Sequence, residues 1–176
     1  MTGMPDLVTL PAHTTVFVDT NIFYLHFRGS SATCTAFIDR IARGEITAYV
    51  NTQVLSDLLH KLMLAEARTK GFIIEQKAFE LKDRLKQDRS VATSLVDYQS
   101  QFENTLAIGL KVLQITRRLL VDTKTERRNY GLMTGDSIHL GNMNRHSNQI
   151  QDIVTNDGDF NHIPNITIWQ PMDVVY

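Results

Sequence analysis

The sequence contains a single cysteine, Cys34, among its 176 residues. One cysteine cannot form an intrachain disulfide, and this scarcity is typical of proteins from a reducing compartment. No apolar run approaches the ~20 residues that span a bilayer, and the first residues lack the charged region and apolar core of a signal peptide. We therefore expect a soluble, cytoplasmic protein that has no membrane partner.

Several motifs that would identify a chemistry are also missing. The sequence has neither a Walker A loop nor a GxGxxG motif, so nothing favours a nucleotide cofactor. Its six histidines include no zinc spacing such as His-Glu-x-x-His, and we expect His60 and His139 to be surface or supporting residues. No serine, cysteine or histidine stands out as a covalent nucleophile. The formal net charge of -1 argues neither for nor against a nucleic-acid partner.

What the sequence does contain is an alternation of strand and helix patterns. With 43% hydrophobic and 21% charged residues, its composition is that of an ordinary globular protein. Strands that alternate with helices predict βαβ units, and hence an α/β fold with a central parallel sheet of four to five strands. The predicted strands are 15–18, 46–50, 111–115, 149–155 and 166–169. The predicted helices include 31–43, about 72–87, 117–130 and one that begins at Thr134, and the residues just after Asp19 are given no helix. We expect a leader over residues 1–14 and a single domain over 15–176, with a helical hairpin arm over about 67–108.

Two of the predicted strands lead into acidic residues. The run Val16–Val18 leads into Asp19, and the run Ile153–Thr155 leads into Asn156 and Asp157. A β-branched or aromatic run that stops at polar residues indicates a buried parallel strand, and ligands gather at the carboxyl edge of such sheets. Adjacent carboxylates repel one another unless a cation neutralises them. The two strand ends therefore suggest a metal site.

Each acidic position also has a purely structural explanation. Asp19 can form an Asx turn, and Asp157 and Asp159 flank a glycine in a turn of ordinary composition. Asp136 lies in the first turn of a predicted helix, where the helix dipole favours a carboxylate. Asp57 points away from the apolar stripe of its helix and can face either a cleft or solvent. The set favours a metal site, because a doubly wound sheet brings strand ends and helix starts to one edge.

In combination, these segments resemble the PIN-domain family of metal-dependent ribonucleases, and more narrowly its VapC-type toxins. The first and last matching segments are the more specific, and the middle two are weak alone. In the family's order, the matching segments are Val16–Phe23, Val54–Leu59, Asp136–Leu140 and Ile153–Phe160. The resemblance implies a PIN-like three-layer α/β/α fold and an endoribonuclease that hydrolyses RNA phosphodiester bonds with Mg²⁺ or Mn²⁺.

The resemblance also implies which residues carry the chemistry. Asp19, Asp136 and Asp157 would be the metal ligands and catalytic acids. Asp57 would be a further catalytic acid, at a position where the family usually has glutamate. Because aspartate is one methylene shorter than glutamate, its carboxylate would reach the metal through water.

Other residues would support these acids. By the resemblance, Thr20 and Asn21 would hold Asp19 through their hydroxyl and amide groups, as residues that orient metal ligands tend to do. Asp159 would be an auxiliary acid or a turn residue beside Asp157.

A phosphodiester substrate calls for positive charge near the acidic centre. The predicted RNA-binding residues are Arg117, Arg118, Arg127 and Arg128, although a solvated helix surface also explains such charges. A second basic set on the arm has the same two explanations: Arg68, Lys70, Lys82, Arg84, Lys86 and Arg89. Few aromatic residues are interleaved with these charges, so recognition would depend on phosphates and RNA shape. The resemblance further implies a cognate antitoxin and a homodimer as partners.

Two hypotheses follow from these residues. The first is a metal-dependent endoribonuclease that acts as the toxin of a type II toxin–antitoxin system. The alternative is a catalytically weakened PIN-like module that binds RNA or protein, which the shorter side chain of Asp57 would favour.

Overall fold

The computed structural model describes residues 4–145 and 149–174. These residues form two compact units, one of Met1–Leu55 with Ile108–Tyr176 and one of Ser56–Ala107. Residues 1–3 of the predicted leader, and residues 146–148 and 175–176 of the predicted domain, lie outside the described residues. No helix in the described part of the chain is long and apolar enough to cross a membrane.

The described residues of the first unit form a five-stranded sheet in the order β3-β2-β1-β4-β5. Every neighbouring pair is parallel, so the predicted α/β class with a central parallel sheet is confirmed. The strands are β1 (Thr15–Val18), β2 (Thr47–Asn51), β3 (Lys111–Leu113), β4 (Asp152–Val154) and β5 (Thr167–Trp169). The strand predicted over 149–155 is shorter in the structure, where β4 covers only Asp152–Val154. The positive φ of Gln149 turns the chain just before β4.

Helices of the first unit connect these strands. Between β1 and β2 lie α1 (Thr20–Phe27) and α2 (Ala32–Ala42), and between β3 and β4 lie α7 (Arg117–Asp122), α8 (Lys124–Tyr130) and α9 (Thr134–Arg145). β2 and β4 flank β1 on opposite sides. Because parallel crossovers are right-handed, connections that run in opposite directions along the sheet place their helices on opposite faces. This handedness gives the three-layer arrangement.

Two helical segments of the first unit differ from the sequence prediction. No helix was predicted over α1, whose aromatic and β-branched residues have low helix propensity, but Asp19 caps its first turn. The helix predicted over 117–130 is divided into α7 and α8 at Thr123, whose buried hydroxyl bonds back to the carbonyl of Leu120.

Part of the predicted leader packs against the first unit. Leu7 and Leu10 are buried. The N–H of Leu7 donates to the carbonyl of Gln170 at 2.8 Å, and the N–H of Gln170 donates to the carbonyl of Pro5 at 3.2 Å. The start of the chain therefore pairs with the segment that follows β5.

The second unit contains the rest of α3 (Thr52–Thr69), which begins in the first unit, together with α4 (Ala78–Gln87), α5 (Ser90–Ser94) and α6 (Asp97–Ala107). The helix predicted from Phe72 begins only at Ala78. The carboxylate of Glu80 accepts the N–H groups of Ile74 and Glu75, which stabilises a turn in place of the first helical residues. The unit has its own apolar cluster: Leu64, Ala67, Ile73, Leu81, Val91 and Leu95.

A buried glutamate holds this second unit together. Glu66 accepts the N–H groups of Val96 and Tyr98 at 2.9 and 2.8 Å, and it pairs with Lys70 at 2.5 Å. Burial raises the pKa of its carboxyl, but these bonds outweigh burial and lower the pKa to about 2. The carboxylate thus caps the start of α6 from α3.

We expect Glu66→Gln to lower the free energy of unfolding at pH 7 by about 1–3 kcal/mol, since bonds to a charged acceptor are replaced by weaker ones. Because the pKa of Glu66 is lower in the folded protein than its ordinary value of 4.5, its carboxylate stabilises the fold fully at pH values above 4.5. This stabilisation is lost as the pH falls through about 2. The deficit of the variant should therefore shrink in urea titrations run from pH 5 towards pH 2. Glu103→Gln, at an exposed position of α6, is the control, and an equal effect there would contradict the assignment.

A glycine sets the close packing of the helices around α9. A Cβ at Gly141 would lie 2.6 Å from Cγ2 of Thr123 and 2.9 Å from Nη1 of Arg145. We expect Gly141→Ala to destabilise the protein by about 1–3 kcal/mol despite its better helix propensity, as overpacking does. Gly135→Ala is the matched control in the same helix, because its Cβ would meet the flexible end of Gln53 at 3.1 Å. Chemical denaturation should separate the two variants, and equal stability would contradict this packing role.

Candidate metal centre

Two of the predicted acids follow β1 and β4, the two neighbouring strands between which the strand order reverses. β2 and β3 follow β1 on one side, and β4 and β5 lie on the other. Asp19 comes directly after β1, and Asp157 follows shortly after β4. In open α/β sheets, ligands bind in the crevice at this switch point, outside the carboxyl ends of the strands. The fold therefore places both strand-end acids at the edge of the sheet where ligands bind in folds of this class.

The carboxylate of Asp19 is held in one orientation by three donors. Its Oδ1 accepts the N–H of Thr20 at 2.6 Å. Its Oδ2 accepts the side-chain amide of Asn21 at 2.7 Å and the hydroxyl of Thr155 at 2.7 Å. The backbone N–H of Asp19 donates to the carbonyl of Val154 at 3.0 Å, which joins the ends of β1 and β4. Donors of this kind fix the direction in which a metal ligand presents its oxygens.

The support from Thr20 differs from the prediction. Its hydroxyl donates to the carbonyl of Val54 at 3.4 Å, so Thr20 holds Asp19 through its backbone N–H and not through the predicted hydroxyl. Asn21 holds Asp19 through its amide, as predicted, and also accepts the N–H of Asn156 at 3.1 Å. The difference arises because Thr20 is the first residue of α1, where the amide faces the capping carboxylate.

Thr155 is a supporting residue that sequence reasoning missed. Its buried hydroxyl donates to Asp19 and accepts from the amide of Asn21 at 3.2 Å and the N–H of Asp157 at 3.0 Å. It thereby links the two strand-end acids. A threonine at the polar end of a predicted strand was the available signal, but β-branched residues are common in strands for packing reasons alone.

Asp157 is oriented by the turn that follows it. Its Oδ1 accepts the N–H of Asp159 at 3.0 Å, at the start of a 3-10 turn over Gly158–Phe160. The side chain of Asp159 is exposed. Asp159 therefore orients Asp157 through its backbone.

Asp136 lies in the first turn of α9 and is electrostatically coupled to the strand-end acids. Its pKa is raised to about 6, first by burial and then by the charges of Asp157, Asp19 and Asp159. A carboxyl responds in this way when other carboxylates are close and uncompensated. The structure thus brings together the predicted acids Asp19, Asp136, Asp157 and Asp159.

These four side chains are coupled through their charges and do not form a tight ligand cluster. In the described ranges, no three acidic, histidine or cysteine side chains gather as closely as metal ligands do. The donor set nevertheless consists of carboxylate oxygens, which Mg²⁺ and Mn²⁺ prefer. Magnesium usually keeps several waters when it binds through one or two carboxylates. These residues therefore fit a partly hydrated ion, whose charge would relieve the repulsion at Asp136.

A buried polar network anchors the helix that carries Asp136. Nδ2 of Asn51, at the end of β2, lies 3.0 Å from Nδ1 of His139 and donates to Oδ1 of Asn142 at 3.0 Å. The ring of His139 also lies against Phe17, with 5.3 Å between ring centroids. His139 is buried within the core, so it is not the surface residue that was one of its two predicted alternatives, and the network fixes α9 against β1 and β2.

The remaining predicted residues are Asp57 and four arginines. Asp57 belongs to the second unit and is exposed on α3, so its catalytic role stays a prediction. Arg117, Arg118 and Arg128 are exposed. Arg127 is partly buried, and its guanidinium donates to Thr123 and Ser137 at 3.0 Å each. Arg127 therefore ties α8 to the first turn of α9.

Comparison with known proteins identifies the fold. No protein-family model and no curated protein matches the sequence. One similar solved structure is a chain of VapBC2 from Rickettsia felis, bound to a DNA fragment from their promoter: TM-score 0.54, 16% identity, covering 89% of this chain and 98% of that one. Another is a chain of a toxin–antitoxin complex from Klebsiella pneumoniae: TM-score 0.52, 15% identity, covering 86% and 94%. The chain therefore has the PIN-like fold that its sequence predicts, shared with chains of these toxin–antitoxin complexes.

Proposed function

We propose that the protein is a metal-dependent endoribonuclease and the toxin of a toxin–antitoxin system. The observation that carries this proposal is the position of Asp136, whose carboxyl is partly buried in the field of Asp19 and Asp157 at the switch point of the sheet. Such mutual repulsion costs stability, and carboxylates are kept together in this way chiefly at functional sites. A hydrated cation is the ligand that this charge favours.

Each residue of the centre has a role in the proposed reaction. Asp19, Asp136 and Asp157 would hold Mg²⁺ or Mn²⁺, and Thr155 and Asn21 fix the orientation of Asp19. The bound ion would supply a Lewis acid for the phosphodiester and lower the pKa of the attacking water. The exposed guanidinium groups of the helices before α9 attract the RNA backbone.

The toxin assignment is supported by the two structural neighbours, which both come from toxin–antitoxin complexes. A toxin that cleaves cellular RNA would need an inhibitor in the cell that makes it. We therefore propose a cognate antitoxin as the physiological partner.

The purified protein should cleave end-labelled RNA when Mg²⁺ or Mn²⁺ is present, and EDTA should stop the cleavage. Recovery of activity after excess Mn²⁺ is added back would exclude irreversible damage by the chelator. RNA that is bound but not cut under any of these conditions would contradict the proposal and favour the weakened binding module.

A further inference from the structure

A cavity of about 520 Å³ lies on the first unit, beside the helix that carries Asp136. Three segments form its walls: the residues after β3, helix α7, and the later turns of α9. Its polar lining residues are Gln114, Thr116, Arg118, Asp122, Asn142 and Arg145. The volume falls within the range of small-molecule sites and exceeds what a phosphate ion alone requires.

Arg145 is held rigidly on one wall of this cavity. Its Nη1 donates to Oε1 of Glu126 at 2.8 Å and to the carbonyl of Gly141 at 3.2 Å. Glu126 is buried, and its Oε2 has no hydrogen-bond partner among the described residues. These two bonds hold the guanidinium in place. The guanidinium of Arg145 also carries donors on Nε and Nη2. Because the group is already fixed in place, an anion that binds to it would cost less side-chain entropy.

The part of the lining that precedes α9 combines an exposed cation with hydrogen-bonding groups. The side chain of Arg118 is 91% exposed, and its Nε lies 3.5 Å from Oδ2 of Asp122. A planar guanidinium can stack on a base or take a phosphate. The carboxylate of Asp122 can accept base N–H groups, and the amide of Gln114 can both donate and accept.

We propose that this cavity binds one ribonucleotide of the RNA strand, with Arg145 on a phosphate and with Gln114 and Asp122 on the base edge. The inference rests on the proposed function, and it adds a subsite for substrate recognition. Arg145, on the cavity wall, follows Asp136 by nine residues on α9, which is about 14 Å along a helix axis. One RNA strand can therefore contact both places.

The test is a titration of the full-length protein with AMP, GMP, CMP and UMP in EDTA, followed by amide chemical shifts in NMR spectra. EDTA removes the contribution of a metal, so this binding is measured independently of cleavage. We expect shifts at Gln114, Arg118 and Asn142 and unequal affinities for the nucleotides. Arg118→Ala and Gln114→Ala change exposed side chains and should each weaken binding about five- to tenfold. Arg43→Ala, which removes another exposed arginine with an acidic partner, should leave it unchanged.

The inference is overturned if the nucleotides cause no shifts at the cavity, or if both variants bind them as the wild type does. Inorganic phosphate that binds as tightly as every nucleotide would also overturn it, because no base would then be recognised. Cavity binding without any metal-dependent cleavage would contradict the proposed function alone. Cleavage without cavity binding would contradict this inference alone.

Discussion

We expect Asp19→Asn to reduce Mn²⁺-dependent RNA cleavage by about 10²–10³-fold, the scale seen when one group that stabilises a transition state is removed. The substitution removes a negative charge from the ligands of the proposed metal ion. It also places an amide where Oδ2 accepts from both Asn21 and Thr155, so one oriented ligand is lost. Initial rates on an end-labelled RNA at saturating Mn²⁺ would measure the effect.

Asp159→Asn is the control for this prediction. It also removes an aspartate charge from the neighbourhood of Asp136, but its side chain is exposed and it supports Asp157 through its backbone N–H. Its rate should stay within about threefold of the wild type, on the small scale of an exposed charge. An Asp19→Asn protein that folds normally and cleaves at the wild-type rate would show that Asp19 holds no catalytic ion.

The second large effect that we expect is on the free energy of unfolding of the metal-free protein, when Asp136 is changed to Asn. The pKa of Asp136 is raised from 3.8 to about 6, so its protonation stabilises the fold fully below pH about 4, and this contribution is lost as the pH rises through about 6. Asp136→Asn imitates the protonated form at every pH. In EDTA at pH 8, we expect the variant to be more stable than the wild type by about 1–2 kcal/mol, a value discounted because solvent screens a half-exposed carboxyl.

Urea denaturation at pH 8 and at pH 4 would measure this difference, which should nearly vanish at the lower pH. Saturating Mn²⁺ should then stabilise the wild type at pH 8 and not the variant, since only a protein that binds the ion gains from it. Asp39→Asn, at an exposed position of α2, should change neither result. A variant that is less stable than the wild type at pH 8 would contradict the mutual repulsion of the acids.

The sequence contained enough information to predict the sheet and the acidic edge. Two short apolar runs stop at Asp19 and before Asp157, and Asp136 starts a helix between them in the sequence. A doubly wound sheet brings strand ends and helix starts of this kind to one edge. The network that orients these acids could not be predicted. Thr155 and Asp19 are 136 positions apart, and no local pattern reports a bond between them.

The differences within the helices have the same origin. α1 forms from residues of poor helix propensity because Asp19 caps it, and the turn before α4 forms because Glu80 accepts two backbone N–H groups. Tertiary and capping interactions override local propensity at both places. A side chain that satisfies backbone donors several residues away leaves no periodic signal in the sequence.

Anomalous diffraction from crystals soaked in MnCl₂ tests the central claim most directly. The account predicts a manganese peak among the carboxylates of Asp19, Asp136 and Asp157 in the wild type, and its loss in Asp19→Asn crystals soaked in the same way. A well-occupied peak elsewhere on the molecule, with none among these three carboxylates, would contradict it.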